Sequence, residues 1–165
     1  MKTNRLLFFC FLSAVFLIPT SLWAQREVPS EYQVKAAFLY HFAKFVEWPP
    51  TAFAQQPNDL LICVMGKDPF GASLEQAMAG KSVHGRKLSI LRLEKEGKLK
   101  SCHILFISSS EKNRLEEIRE TIQGTSILTV GETGQFAQMG FIINLSWTRT
   151  GCVLKLIQAR QSGRG

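Results

Sequence analysis

Three short apolar runs limit what this chain can fold into. LLICVMG spans Leu60–Gly66, CHILFIS spans Cys102–Ser108 and SILTVGE spans Ser126–Glu132. Each is too short for a core helix and is bounded by turn residues, the pattern of a strand buried on both faces. Helical patterns separate them. Ser73–Ala79 suits a short helix, and Glu111–Gln123 carries an apolar stripe of Leu115, Ile118 and Ile122. RKLSILRL, Arg86–Leu93, alternates like a strand with one wet face. Near the end, FIINLSW and CVLKLI flank TRTG, a hairpin signal. Strands alternating with helices predict an α/β fold, with a mainly parallel central sheet flanked by helices and a C-terminal antiparallel hairpin. GKDPFG reads as a turn and EKEGKLKS as a charged loop, while Thr133–Met139 reads as a short helix or loop. With no internal repeat or long linker, one domain over residues 25–165 accounts for the pattern.

Residues 1–24 have the layout of a secretory signal peptide. Lys2 and Arg5 precede an apolar run from Leu6 to Ile18, and Ser21-Leu22-Trp23-Ala24 offers a cleavage site. Export to the periplasm is the reading; the alternative is an uncleaved leader that anchors the chain in the inner membrane. Cleavage leaves 141 residues (165 less 24). Loss of Lys2 and Arg5 lowers the formal charge from +7 to +5. In that compartment nucleic acid is a poor candidate partner. Anionic headgroups or an acidic protein face remain as partners for a mildly basic surface.

A second constraint is the segment EYQVKAAFLYHFAKFVEWPP, Glu31–Pro50. Ser30 followed three residues later by Gln33 has the form of a capping box, so a helix starts there and runs to about Val46. Val34, Phe38, Phe42 and Phe45 share one helical stripe, widened by Ala37 and Leu39, and are the expected core face. Pro49 and Pro50 end the helix.

Three cysteines lie beyond the leader: Cys63, Cys102 and Cys152. An oxidising compartment favours a disulfide, and three is an odd number. Cys63 and Cys102 both fall in predicted buried strands, and strands close in sequence tend to be neighbours in this fold. They are the pair to expect, against the alternative of two separate buried thiols. Cys152 is left over.

Catalytic patterns are missing. GKDPFG lacks the Lys-Ser/Thr ending of a phosphate loop, and GETG is too short for a dinucleotide fingerprint. There is no GxSxG and no HExxH. His41, His84 and His103 are scattered. No catalytic set, metal set or cofactor is called for. Asp68, after the first strand, stands where α/β folds place ligands and is the one candidate ligand-binding residue. Asp before Pro is equally ordinary turn chemistry.

AAFLYHFAKFVEWP (Ala36–Pro49) resembles the signature helix of the YfiR family. LLICVMGKDPFG, CHILFISSSE and VGETGQFAQMGFIINL follow in the family's order and spacing, so the resemblance covers about residues 30–157. It implies an α/β periplasmic regulator, not an enzyme. Such a protein binds the periplasmic sensor domain of a membrane-bound diguanylate cyclase and represses it, lowering cyclic di-GMP and biofilm output. Related domains on sensor kinases imply the alternative, a small-ligand-binding sensory module. The resemblance also implies a homodimer, and it matches Cys63 and Cys102 to a bridged pair of the family. The sequence departs from the family in two places. Cys152 has no partner for a second disulfide, and LIQARQSGRG replaces a longer terminal helix. On this reading Tyr40, Glu47, Trp48 and Pro49 are the candidate partner-binding residues, because Tyr and Trp present an apolar body with a polar tip. The competing reading has Trp48 closing the bottom of the core.

Overall fold

The computed structural model describes residues 28–156, apart from 135 and 137. The leader, its cleavage site and the segment after Leu156 lie outside the described residues.

Helix α1, Glu31–Phe45, begins with the capping box. Ser30 Oγ accepts from Gln33 N–H at 3.3 Å, and Ser30 N–H donates to Gln33 Oε1 at 2.7 Å. It ends where Val46 turns extended, and a 3₁₀ turn follows with proline at its first position, Pro50–Phe53. Then come β1 (Asp59–Met65), α2 (Ala72–Met78), β2 (Ser82–Val83) and β3 (Arg86–Leu93). The charged loop is a 3₁₀ segment, Glu96–Ser101, that plants the fully buried Leu99 beneath the sheet. β4 (Ile104–Ile107), α3 (Leu115–Ile122), β5 (Leu128–Gly131), β6 (Ile143–Thr148) and β7 (Gly151–Leu156) complete the order.

The fold is a single α/β domain. Its seven strands lie in the order β2-β3-β1-β4-β5-β6-β7. The ladders from β3 through β6 are parallel, and β2–β3 and β6–β7 are antiparallel. Counted along the chain, the five parallel strands run 2-1-3-4-5, a doubly wound order.

Strand alternation builds a core on each face. Leu60, Ile62 and Val64 of β1, with Ile104 and Phe106 of β4, pack under α1 and α2. Leu61, Cys63 and Met65, with Leu105 and Ile107, pack on α3 and on Phe136 of the β5–β6 connection. A strand covered on both sides can be apolar throughout, which is why LLICVM carries no alternation.

Two expectations need correction. The buried stripe of α1 is Lys35, Ala36, Leu39 and Ala43. Val34, Phe38 and Phe42 are only half-buried, Ala37 is exposed, and Phe45 is 77% exposed. Lys35, Ala36, Leu39 and Ala43 take the contact line, and the rings flank it. The helix expected over Glu111–Gln123 is also divided. Ser108 caps a 3₁₀ turn, Ser109–Glu111, and α3 starts only at Leu115.

Candidate functional site

The end of α1 delivers Trp48 to the amino ends of the strands. Its half-buried ring meets His103 edge-on, with centroids 6.0 Å apart. His103 stacks on Phe53 at 4.4 Å, and the Arg86 guanidinium lies 3.7 Å from the Phe53 centroid. His103 is 2% exposed. Its Nδ1 accepts from Leu61 N–H at 3.0 Å, which leaves the proton of the neutral ring on Nε2. Burial pushes the imidazole pKa down, against the pull of the Ala52 carbonyl, and Arg86 adds to the lowering. Trp48 Nε1 and His103 Nε2 are both buried without a hydrogen bond of good geometry. Glu47 and Pro49 are exposed beside them. Tyr40 stands two turns back, in a groove between α1 and α2, with the Lys81 ammonium 4.2 Å from its ring centroid. Glu47, Trp48 and Pro49 therefore share one corner, and Tyr40 belongs to a different face.

Cys63 and Cys102 form a disulfide across 5.9 Å between Cα atoms. The bond joins β1 to the segment that enters β4, on the α3 face. Cys152 is a half-buried free thiol whose pKa burial pushes up.

The carboxyl ends of the strands hold a second constellation. After β1 the chain turns toward α2, and after β4 it turns toward α3 on the opposite face. Between the two turns lies a crevice of about 400 Å³, bounded by Lys67, Asp68, Pro69, Ser108–Ser110 and Lys112. This is the switch point at which open α/β sheets place ligands. Gly66, at φ +86°, is required here, because a Cβ would overlap Ser110 Oγ. Asp68 lines the crevice but is already engaged: Oδ1 accepts from Phe70 N–H at 2.8 Å, and Oδ2 pairs with Arg92 at 2.7 Å.

Beside the crevice sits a network that sequence reasoning missed. Lys35, 1% exposed, pairs with Glu132 after β5 at 2.7 Å and with Glu31 at 2.5 Å. Glu132 also accepts from Ser109 N–H and from the Tyr32 hydroxyl. Burial opposes the Lys35 charge, but hydrogen bonds from its ammonium to Glu132 and Glu31 outweigh it and hold the pKa above the ordinary value. The Glu31–Lys35 spacing was a visible signal of a helical ion pair. Nothing local pointed to Glu132, 97 residues away.

With this geometry in view, the YfiR/HmsC-like family matches the sequence over residues 32–153. The chain belongs to the YfiR/HmsC-like family. The match runs from the first turn of α1 into β7, so it takes in the Trp48 corner, the disulfide and the crevice alike. A search of curated proteins finds no match. Among the described residues of this YfiR/HmsC-like chain, no group of three or more His, Cys, Asp or Glu side chains could hold a metal ion. No described helix is long and apolar enough to cross a membrane.

Proposed function

We propose that this YfiR/HmsC-like protein is a periplasmic regulator that works by binding. Its target is the periplasmic sensor domain of a membrane-bound diguanylate cyclase. Holding that domain in an inactive state lowers cyclic di-GMP and biofilm output. The observation that carries the reading is the family match across residues 32–153, nearly all of the described domain. The Cys63–Cys102 disulfide supports it, since such bonds persist in oxidising compartments. In this reading residues 1–24 are a signal peptide and residues 25–165 act as the mature repressor.

The contact surface is the corner of Glu47, Trp48 and Pro49, and Tyr40, on a different face, is a separate contact point. Trp48 sits between the helix stop and two prolines, so its ring loses little freedom on binding. The test is capture from solubilised membranes with residues 25–165 as bait, followed by titration against the isolated sensor domain. Saturable binding that lowers cyclase output supports the reading. A folded bait that retains no cyclase and leaves its output unchanged overturns it.

A further inference from the structure

We propose that the crevice between the ends of β1 and β4 binds a small dianion, of the phosphate-monoester or dicarboxylate class. The inference rests on the crevice alone and stands whether or not the chain meets a cyclase.

Charge pairing carries the argument. Each nearby carboxylate already has its own cation. Asp68 is held by Arg92 at 2.7 Å, Glu111 by Arg114 at 3.0 Å and Glu132 by Lys35 at 2.7 Å. Lys67 and Lys112 border the same crevice, and neither ammonium has an ion pair or hydrogen bond among the described residues. Two like charges facing one concavity repel each other, and a bound dianion removes that repulsion.

The hydroxyls add direction. Ser110 is committed, since its Oγ accepts from Lys67 N–H at 3.0 Å and donates to Glu111 at 3.1 Å. Ser108 is buried, and its Oγ accepts from Ser110 N–H at 3.4 Å, which leaves its O–H free to donate. Ser109 has its backbone N–H tied to Glu132 and its hydroxyl unpartnered. Two lysines without an ion pair and two serines with an uncommitted O–H thus border a space of about 400 Å³, enough for a small oxyanion and not for a folded partner. Its position at the strand switch point is an independent indication of ligand binding.

The experiment uses residues 25–165 with inorganic phosphate and malonate as separate probes, against chloride at matched ionic strength. In the wild type, at least one dianion should raise the melting temperature with dose, and calorimetric titration should saturate at one site. In Lys67→Met/Lys112→Met the affinity should fall tenfold or more. Its melting temperature without a probe should stay at the wild-type value, because both side chains are exposed. Lys98→Met, remote from the crevice, should bind as the wild type does. A response to phosphate alone assigns a phosphate ligand, and a response to malonate alone assigns a dicarboxylate. Absence of any shift in the wild type, or equal affinity in the double variant, overturns the proposal.

Discussion

Lys35 is a cation with almost no surface, and its charge survives because two carboxylates and the helix geometry hold it. Removing one partner of such a pair leaves the other buried and unpaired, which typically costs about 3–5 kcal/mol. Lys35→Met should therefore lower stability by about 3 kcal/mol in urea denaturation, and Lys35→Met/Glu132→Gln should recover part of the loss. His103 acts in the opposite sense. Burial holds its pKa below the ordinary value near 6.5. The unfolded chain thus takes up a proton at a pH where the folded chain does not. Stability is unaffected by this group above about pH 7, falls as pH drops through about 6.5, and levels off below the depressed folded value. Melting temperatures from pH 7.5 to 5 should show that slope, and His103→Gln should flatten it. Neither residue was legible as a site. His103 stands just before an apolar strand, where a sequence gives no hint that its ring accepts from Leu61 N–H. Glu132 lies in a glycine turn and meets Lys35 only once the sheet has assembled.

At the scale of elements, α1 was legible in its ends and misread in its face. The capping box and the prolines act within a few residues, so they can be read directly. The buried face depends on how closely the helix approaches the sheet, and the pattern of aromatics points to the wrong side of the contact line. The energetic consequence is testable. Leu39→Ala, at a fully buried position, should cost about 2–5 kcal/mol. Phe45→Ala, largely exposed, should change stability by no more than about 0.5 kcal/mol. Trp48 follows the same element and belongs to the proposed contact. Trp48→Ala should weaken binding to the sensor domain by about 2 kcal/mol or more. A thermal melt run beside the titration separates this from damage to the His103 stack. Lost affinity in a variant that melts near the parent assigns Trp48 to the contact, and a collapsed melt assigns it to the core. The strands were easier to read. Arg86–Leu93 agrees with expectation to the residue, because alternation and full burial each leave their own mark on a run of side chains. β2, two residues long, left no mark at all.

Across the whole molecule, the α/β class and the closing hairpin were legible, whereas the lateral order of the strands was not. Periodicity says which residues are strands and is silent on which strands touch. Cys63 and Cys102 were the exception, since two cysteines in apolar runs, bonded to each other, name their own neighbours. The closed loop, with a sequence separation of 39, predicts a contribution of about 3–4 kcal/mol. Cys63→Ser/Cys102→Ser should lose about that much in chemical denaturation and should still fold, since both sheet faces keep their packing.

The two margins of the sheet are unequal. β2 offers two residues of backbone, whereas β7 offers six and, among the described residues, has a ladder partner on one side only. Main-chain groups left open along a strand of that length are a template for another strand. Growth of this sheet is therefore one-directional. A foreign or sister strand finds its longer template beside Cys152, across the whole sheet from the β2 margin, and two copies that meet β7 to β7 close a two-fold pair that grows no further.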